Sequence, residues 1–484
     1  MTRRNTTAAR RTPLRVSRAC ALIAALALNF AGSAARVRAQ TSADPNQALL
    51  RDIYKELVEI NTTDSVGDCT RAAEAMAARL RAAGFPGEDV QVLVPPGNAK
   101  KGNMVARLRG TGAKKPLLLL AHIDVVEARR EDWSTDPFKL TEQDGYLYGR
   151  GTGDDKAMAS IFVANLIRMK REGFRPERDI ILALTADEEG GDFNGVDFLI
   201  KNHRELVDAE FGINEGGGGQ LKHGQRLLNG IQASEKVFQS FRLEVTNRGG
   251  HSSQPRRDNA IYQLAAALIR LSNHQFPFNL NEVTRAYFSR MSKIETGQLA
   301  SDMKAVAANP PDPAAVKRLE ETPYYNALMR TTCVATRLEG GHADNALPQM
   351  ARALVNCRIL PQENATDVQA ALTRVVNDPQ VKITPVGVYK PSPPSPLSSM
   401  VMQPVERVTD RMWHGTPVVP LMGAGATDSL YFRQAGIPVY GVSGIFGDIE
   451  DNRAHGRDER VMIKSLYEAQ EFLYELVREF ASGK

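Results

Sequence analysis

Apolar residues recur at helical spacing near residue 50. Leu49, Ile53 and Leu57 lie three or four positions apart, which predicts a helix, and the alanine-rich stretch behind them predicts a second helix that ends at Gly84. Four short apolar runs follow and flank a helix-like stretch at residues 157–171. The runs cover residues 103–109, 116–121, 180–185 and 211–214. Strands that alternate with helices predict an α/β fold with a mixed, largely parallel sheet flanked by helices.

The pattern changes near Phe238, where apolar and polar positions begin to alternate as in a half-buried strand. The predicted elements are then strand, helix, strand, strand, helix and strand, at residues 237–247, 260–271, 331–338, 350–360, 365–377 and 381–389. This order is typical of a split βαβ unit. Because the unit lies inside the chain, the sequence predicts an inserted α+β domain, which residues 278–322 elaborate.

A proline-rich stretch follows the insert. PSPPSPLSS, at residues 391–399, predicts a stiff, extended linker. With the chain near Lys236 it would form the two hinges between domains. Alternation of helix and strand resumes behind it, at residues 400–412, 417–421, 428–434 and 438–442.

The first 39 residues have a distinct composition. They hold eight arginines and no Lys, Asp or Glu, with an apolar stretch at residues 19–30 and small residues up to Ala39. This pattern is typical of an export signal cleaved before Gln40, and an uncleaved anchor is the alternative that shares it. The apolar stretch is too short for a mature membrane span. The sequence therefore predicts an exported protein, periplasmic or secreted, with no stable membrane span after processing.

Composition and charge narrow the class of protein. Apolar residues make up 42% of the 484 residues and charged residues 24%, as in an ordinary globular protein of two or more domains. The formal net charge is +5, and removing the eight arginines of the leader leaves −3 for the rest. The charge therefore gives no reason to expect nucleic acid as a partner.

Cysteines are scarce beyond the leader. Cys69, Cys333 and Cys357 remain, which is too few for a disulfide framework. Buried free thiols are the favoured interpretation. A disulfide between Cys333 and Cys357, which lie on neighbouring predicted strands, is the alternative in an oxidising compartment.

Acidic and imidazole side chains lie at the ends of four apolar strand candidates, at residues 116–121, 147–155, 180–185 and 211–214. They are His122, Asp124, Asp154, Asp155, Asp187, Glu188, Glu189 and Glu215. In an open α/β sheet, ligands bind beyond the carboxyl ends of the strands, so we expect these groups to converge. Clustered carboxylates require a cation, and carboxylate with imidazole suits zinc, or less commonly manganese or cobalt. The scarcity of cysteine favours a catalytic site, and more than three ligands favour two metals that share a carboxylate.

Four motifs occur in a fixed order: HIDVV at His122, WSTDPF at Trp133, GRGTGDDK at Gly149 and DEE at Asp187. Their order and spacing resemble the co-catalytic zinc exopeptidases, the group of glutamate carboxypeptidase, aminoacylase and succinyl-diaminopimelate desuccinylase. NEGGG at Asn214 is similar to the carboxypeptidase S-like branch of that group. The resemblance runs from about Leu49 to the end of the chain.

The resemblance implies a division of the chain into four parts. Residues 1–39 would be the signal peptide, residues 40–237 and 391–484 the two parts of a catalytic domain, and residues 238–390 a lid. In this group the lid usually also forms the dimer interface, so the resemblance implies a homodimer through the inserted domain.

The resemblance also implies a site with two Zn²⁺ ions, for which Co²⁺ or Mn²⁺ are alternatives. The five expected metal ligands are His122, Asp154, Glu189, Glu215 and His455. His122 and Glu215 would hold one metal, Glu189 and His455 the other, and Asp154 would bridge them. Asp124 would orient the imidazole of His122. Asp155 and Asp187 match no functional position and are interpreted as ordinary polar turn residues.

Glu188 would be the general base of this site, and the lid would supply further groups. His251, in GGHSS, would reach the substrate oxyanion, often from the partner subunit. Asn345 and Arg358 would contact substrate, and a guanidinium suits a terminal carboxylate. Gly425 and Thr427, in GAGATD, would line the substrate end; a simple strand–helix turn is the alternative there.

These residues predict a metal-dependent hydrolase of amide bonds adjacent to a free carboxylate, a carboxypeptidase or dipeptidase. Zinc-bound hydroxide would attack the carbonyl of a small peptide with Glu188 as base. An N-acyl-amino-acid amidohydrolase (deacylase) is the alternative. A non-catalytic binding protein on the same fold is the alternative from another class, although such a protein would be expected to lack the base or some ligands.

Overall fold

Helices and strands alternate through the structure, a computed structural model that describes residues 44–482. The signal peptide predicted at residues 1–39 lies outside the described residues. The α-helices are α1 Pro45–Glu59, α2 Cys69–Ala82, α3 Lys156–Arg171, α4 Gly195–Asn202, α5 Arg204–Val207, α6 Ala260–Ser272, α7 Glu282–Met291, α8 Gly297–Ala307, α9 Pro313–Leu319, α10 Pro323–Met329, α11 Ala365–Val376, α12 Ser399–Met412, α13 Ser429–Gln434 and α14 Ile463–Ser482. Among helices of this described part, none is both long and apolar enough to cross a bilayer.

The strands belong to a large sheet and three smaller ones. They are β1 Val90–Leu93, β2 Asn103–Leu108, β3 Leu117–His122, β4 Thr141–Gln143, β5 Tyr146–Tyr148, β6 Ile180–Thr185, β7 Phe211–Asn214, β8 Gly219–Lys222, β9 Gln225–Glu235, β10 Val237–Thr246, β11 Gly250–His251, β12 Thr332–Gly340, β13 Ala346–Leu347, β14 Met350–Ile359, β15 Val381–Val386, β16 Val418–Gly423, β17 Val439–Gly441, β18 Phe446–Asp448 and β19 Arg460–Met462.

The large sheet has ten strands and mixed directions. Its order is β1, β2, β6, β3, β7, β17, β9, β8 and β18, and β16 pairs with β9 off this row. Strand β3 is parallel to both neighbours, β6 and β7, and β17 is parallel to β7. Antiparallel pairs occur toward the edges, between β1 and β2 and between β8 and β9. The predicted mixed, largely parallel sheet flanked by helices is confirmed.

Both faces of this sheet are covered by helices. Along β3, Leu117 and Leu119 lie in the larger core with α1, α2 and α3, whereas Leu118 and Leu120 lie in a second core with α4 and α13. Side chains of a strand alternate between the two faces, so a strand covered on both sides reads as a continuous apolar run. This explains why LLLLA and IILALT gave the clearest strand patterns, since they form the central strands β3 and β6.

The carboxyl ends of three parallel strands meet at one edge of the sheet. His122 at the end of β3 lies opposite Thr185 at the end of β6, and neighbouring β7 ends at Asn214. The connections that follow these strands therefore begin side by side. Residues 147–155 depart from the expectation of another such strand. Strand β5 lies in a separate sheet with β4 and β19, and Asp154 lies in the turn before α3.

The inserted part has its own antiparallel sheet, in the order β12, β14, β10 and β15. Helices α6 and α11 bury apolar side chains against it, with Leu264 and Leu372 in the same core as Phe241 and Val355. The predicted order of strand, helix, strand, strand, helix and strand is present. The domain boundaries near residues 238 and 390 remain a prediction.

Helices α7 to α10 pack differently from the prediction. The sequence interpretation made residues 278–322 an elaboration of the insert, but Val283, Phe288, Met303 and Leu319 lie in the larger core of the ten-stranded sheet. That interpretation therefore assigns these helices to the wrong hydrophobic core. Its physical reason is that an amphipathic pattern shows which face of a helix is buried and not which surface covers it.

The proline-rich stretch at residues 391–399 has no regular structure before α12, yet its serines fasten it. Ser395 is buried, and its amide donates a hydrogen bond to the carbonyl of Ala233 at 2.8 Å. The hydroxyl of Ser392 donates to Oε1 of Glu235 at 2.7 Å. The linker therefore runs along β9 as a fixed strap.

The cysteine interpretation also needs correction. Cys333 and Cys357 face each other across β12 and β14 and form a disulfide, so they are not the free thiols that were favoured. Adjacent antiparallel residues bring Cβ atoms within reach of a disulfide, which the sequence alone did not establish. Cys69 is buried and free, as expected.

Candidate metal centre

One group of potential metal ligands lies at the end of the central strands. Nε2 of His122, the last residue of β3, is 2.9 Å from Oδ1 of Asp154 and 3.9 Å from Oε1 of Glu215. One donor atom from each of the three residues lies within 4.8 Å of the others. His122 is buried, and both carboxylates are partly buried.

A second group shares Asp154 with the first. Nε2 of His455 is 3.2 Å from Oδ2 of Asp154 and 2.9 Å from Oε2 of Glu189. Asp154 therefore presents one oxygen to each group. The five side chains expected to bind metal come from the end of β3 and from four connections, which are far apart in sequence.

The charges in this region fit a bound cation. Burial and the nearby Asp154 raise the pKa of Glu189 to about 7, and burial raises the pKa of Glu215 well above its usual value. Although burial opposes the shift, hydrogen bonds to the two histidines lower the pKa of Asp154. Protons thus offset the repulsion in the metal-free protein, and divalent cations would replace them. Two imidazoles and three carboxylates are a donor set that suits zinc.

Asp124 connects the two sides of the site. Its Oδ1 accepts a hydrogen bond from the amide of Glu188 at 3.2 Å, and its Oδ2 accepts one from the amide of Glu189 at 3.0 Å. Nδ1 of His122 lies 3.1 Å from the carbonyl oxygen of Asp124 and 3.6 Å from its carboxylate. Nδ1 of His122 is therefore nearest to the backbone of Asp124, while the carboxylate of Asp124 fixes the turn that carries Glu188 and Glu189.

Glu188 belongs to neither ligand group. Burial, with added repulsion from Glu215 and Asp428, raises the pKa of its carboxyl to about 10 despite the opposing effect of His122. A general base at neutral pH must be ionised, so it needs positive charge nearby to bring its pKa down. A cation at the adjacent ligand groups is a suitable source of that charge.

Asp187 is more than an ordinary turn residue. It is buried with φ of 60°, forms an ion pair with the buried Lys101, and accepts a hydrogen bond from the amide of Phe193 at 3.0 Å. These contacts hold the turn behind β6 on which Glu188 and Glu189 lie. The interpretation of Asp187 as a residue without a special position is therefore wrong.

Sequence reasoning missed Glu459, a buried carboxylate four residues after His455. Its Oε1 accepts hydrogen bonds from the amides of Gly153 and Asp154, at 2.6 and 3.1 Å. Its Oε2 accepts one from the amide of Gly151 at 3.1 Å and pairs with Arg150 at 2.6 Å. No spacing rule could have found it, because its partners lie about 300 residues earlier in the chain.

Asp428 is a second buried acid that the sequence did not single out. It accepts hydrogen bonds from the side chains of Asn194, at 2.7 Å, and Thr185, at 3.1 Å. Burial raises its pKa to about 6. Asp428 thereby ties α13 to the end of β6.

Two of the expected substrate residues of the lid, His251 and Asn345, lie close together, whereas Arg358 pairs with Phe238 at the opposite end of β10. His251 on β11 is exposed, and its Nδ1 lies 2.7 Å from the hydroxyl of Ser253. Asn345 is next to β13, the partner of β11, and accepts a hydrogen bond from the amide of Ser252 at 3.0 Å. The guanidinium of Arg358 lies 5.5 Å from the ring of Phe238.

Gly425 and Thr427 lie in the loop before α13. Gly425 is exposed, with open space where a side chain would be. The hydroxyl of Thr427 donates to Oε2 of the buried Glu235 at 2.9 Å. Thr427 thus braces the loop from inside, and a role for either residue in binding substrate remains a prediction.

Comparisons with known proteins show what this chain is similar to. Residues 118–479 match the sequence profile of Peptidase family M20/M25/M40. "Probable carboxypeptidase S-like 2" of Dictyostelium discoideum is 30% identical over 75% of this chain and 71% of its own length. "N-fatty-acyl-amino acid synthase/hydrolase PM20D1" of Xenopus tropicalis is 30% identical over 75% and 72%. The M20 family metallo-carboxypeptidase Sso-CP2 from Sulfolobus solfataricus superposes with a TM-score of 0.68 and 19% identity, over 90% of this chain and 99% of that one.

Proposed function

The chain belongs to peptidase family M20/M25/M40, and from that premise we propose that it is a two-zinc hydrolase of amide bonds next to a free carboxylate. Membership makes it a metal-dependent hydrolase of the carboxypeptidase type. The observation behind the two-zinc assignment is that two groups of three potential ligands share Asp154. A shared carboxylate between two ligand sets is the arrangement that two-metal hydrolases use.

We assign His122 and Glu215 to one metal, Glu189 and His455 to the other, and Asp154 to both. When bound, the two cations would polarise the substrate carbonyl and make water a stronger nucleophile. Zinc is proposed because its preferred donors are those present, and Co²⁺ or Mn²⁺ are the alternatives that the same donors accept.

Glu188 would carry out the proton transfers. Its carboxyl would take a proton from the attacking water and deliver it to the leaving amine. The support is positional, because Glu188 is partly buried beside both ligand groups while Asp124 fixes its amide. His251 would donate to the oxyanion that develops on the substrate.

Arg358 and Asn345 would bind the free carboxylate of the substrate, since a guanidinium recognises a carboxylate in bidentate fashion. These residues and His251 belong to the inserted domain, and they would reach the metal centre by closure of that domain or from a partner subunit. Gly425 and Thr427 would line the same end of the site.

Export is proposed from the leader pattern at residues 1–39, to the periplasm or outside the cell. The Cys333–Cys357 disulfide supports this proposal, because disulfides persist in oxidising compartments. We also propose that the chain divides into four parts, with boundaries after residues 39, 237 and 390.

A second candidate function, hydrolysis of N-acyl amino acids, is favoured by two observations. A relative with 30% identity carries the name N-fatty-acyl-amino acid synthase/hydrolase. A cleft of about 930 Å³ also opens beside Asp154 and Glu215, which is large for a dipeptide. Both functions share the metal centre and Glu188, and they differ in the group on the acyl side of the amide.

The decisive experiment is Glu188→Gln, assayed on a panel of dipeptides and N-acyl amino acids with zinc-loaded protein. We expect kcat to fall about 10²- to 10⁴-fold, because general-base catalysis contributes on that order, while the bound metal stays at two equivalents. Asp192→Asn, which changes an exposed acid three residues beyond Glu189, is the matched control and should keep wild-type activity.

Two outcomes would overturn the proposal. Wild-type rates in Glu188→Gln would remove the assigned base. Binding of panel members without hydrolysis by the metal-loaded wild type would favour the non-catalytic binding protein. One equivalent of metal at full activity would leave the base assignment standing and replace the two-metal site by a single one.

A further inference from the structure

The cleft beside the metal centre has a wall that the catalytic assignment does not use. The cleft begins at Asp154 and Glu215 and has a volume of about 930 Å³, at the upper end of the roughly 300–1,000 Å³ of ordinary small-molecule sites. A dipeptide would leave much of this space filled with water. The residues that line the cleft beyond the proposed metal ligands therefore influence which substrates bind tightly.

Helices α7 and α10 supply an apolar and aromatic part of this lining. Tyr287 and Met291 come from α7, and Tyr324 and Tyr325 from α10. The ring centroids of Tyr287 and Tyr324 are 6.2 Å apart, and those of Tyr324 and Tyr325 are 5.6 Å apart. Tyr287 and Met291 also lie in the larger core, so this wall has a fixed position.

Further apolar lining comes from other elements. Met158 lies on α3, four residues after the proposed shared ligand Asp154, while Ile445 and Ile449 flank β18. Ile449 is 44% exposed, so its side chain is accessible to a molecule in the cleft. The cleft therefore offers apolar surface both near the metal ligands and farther out.

The charges of the lining balance. Apart from Asp154, Asp155, Glu215 and Glu459, which are proposed ligands or lie next to them, the cleft is lined by three basic side chains, Lys222, Arg453 and Arg460, and three acidic ones, Glu295, Asp448 and Asp451. Both arginines are paired with the carboxylate of Asp451, at 2.6 Å for Arg453 and 3.1 Å for Nε of Arg460. The cleft therefore has no net positive charge with which to attract a substrate carboxylate.

We propose that this cleft binds an extended apolar group on the acyl side of the scissile amide, and that Tyr324, Tyr325, Met291 and Ile449 select for it. The inference rests on the proposed function, because that function places the free carboxylate of the substrate at Arg358 in the inserted domain. The other side of the amide is then left for the cleft. The chemical class of substrate is an amino acid that carries a long alkyl or aryl acyl group.

The first test is the chain-length profile of the metal-loaded wild type. N-acyl derivatives of one amino acid, from acetyl to palmitoyl and below their critical micelle concentrations, are compared by kcat/KM. We expect a rise of about two- to fourfold per methylene over the medium lengths, since burial of a methylene contributes about 0.8 kcal/mol. A flat or falling profile overturns the inference and leaves the proposed function standing.

The second test places a charge in the wall. Tyr324→Glu and Ile449→Glu, both at partly exposed positions, should each lower the ratio of palmitoyl to acetyl kcat/KM at least tenfold, because a carboxylate would face the alkyl chain. Val388→Glu, at an apolar residue that is 83% exposed and does not line the cleft, is the control and should keep the wild-type ratio.

The outcomes separate the two proposals. An unchanged ratio in both cleft variants overturns the inference, as does an equal fall for both substrates, which would show a general loss of activity. If the wild type hydrolyses dipeptides but neither N-acyl substrate, the inference fails and the proposed function stands; if it hydrolyses none of these, the proposed function itself fails. Should either variant fold poorly, the other variant and the wild-type profile still decide.

Discussion

At the scale of single residues, Glu459 and Arg150 join the segments that carry two of the proposed ligands. Glu459 holds the amides around Asp154, and Arg150 donates to the carbonyl of Gly456 at 2.9 Å, next to His455. Both side chains are buried, so their ion pair is not weakened by solvent. The pair therefore fixes Asp154, the proposed bridging carboxylate, relative to His455, a proposed ligand of the second metal.

Glu459→Gln should weaken metal binding. The substitution leaves Arg150 as a buried charge without its partner and removes an acceptor from the turn of Asp154, and partners of this kind typically change metal affinity about 10- to 100-fold. Competition between the protein and a chromophoric chelator for Zn²⁺ and Co²⁺ measures the affinity, and Co²⁺ absorption reports ligand geometry.

The control for Glu459 is Glu177→Gln, which breaks the exposed Lys114–Glu177 pair. Exposed pairs contribute little, so this variant should keep wild-type affinity. Glu459→Asp, which retains the charge, should recover part of the loss. Wild-type zinc affinity in Glu459→Gln would rule out a positioning role.

The same residues show what sequence reasoning can reach at this scale. His122 and Glu215 were predictable because each directly follows or ends an apolar run, and their motifs have characteristic spacing. Glu459 and Lys101 were not, because their roles depend on partners that only the fold brings near. Asp187 was misjudged for the same reason: its buried partner lies 86 positions earlier in the chain.

At the scale of elements, the most exposed large apolar side chains on the strands and helices of the inserted domain lie on β12 and α6. Val334 and Leu338 on β12 are 62% and 68% exposed, and Tyr262 and Ile269 on α6 are 67% and 62% exposed. Strand β12 is also an edge strand, with one side unpaired in its sheet. A bare edge strand beside apolar side chains favours association with another chain.

We therefore expect the protein to form a dimer through β12 and α6, and Leu338→Lys to shift it toward the monomer. A charge at the centre of an apolar contact costs desolvation that no partner offsets. Light scattering with size-exclusion chromatography measures the change. Val66→Lys, at a residue with the same 68% exposure outside the insert, should leave the mass unchanged.

The dimer also permits a test of where His251 acts. Subunits with His251→Ala are mixed with subunits with Glu188→Gln, each inactive alone. If His251 acts across the interface, random mixing gives about a quarter of wild-type activity, because half the dimers have one complete site. Absence of recovery in verified mixed dimers would place His251 in its own subunit's site, and a monomeric wild type would contradict the dimer.

Elements were predicted well where burial on both faces made the pattern strong, as in β3 and β6. The sequence was less informative about which surface each element packs against. The helices at residues 282–329 have apolar faces that the sequence displays, but their burial against the ten-stranded sheet depends on long-range packing. The wall of the cleft was for this reason not predictable, although each of its tyrosines is visible in the sequence.

At the scale of the whole molecule, the metal centre links distant segments of the chain. Its proposed ligands end β3, precede α3, follow β6 and β7, and precede β19. A ligand that binds the folded state alone stabilises it in proportion to the logarithm of its free concentration over Kd. Two metals held in this way should therefore raise the melting temperature, and removal by a chelator should lower it.

The size of that effect should depend on pH. In the metal-free protein the pKa values of Glu189 and Glu188 are raised to about 7 and about 10, and that of His455 to about 8. The folded state then holds more protons than the unfolded state between pH 5 and 8, so the stability of the chelated protein falls as pH rises through this range. The affinity for metal rises over the same pH range, because protons compete less for the ligands. The difference in melting temperature between loaded and chelated protein should accordingly widen from pH 5 to pH 8.

Calorimetric scans at pH 5, 6, 7 and 8 with and without chelator measure this difference. Chelated Glu189→Gln, which removes one of the repelling acids, should lose less stability with rising pH than the chelated wild type. Arg51 and Glu142 form an exposed pair away from the metal centre, so chelated Glu142→Gln should follow the wild-type curve. A constant difference across pH, or equal melting temperatures with and without chelator at pH 8, would show that the clustered acids are not held together by bound metal.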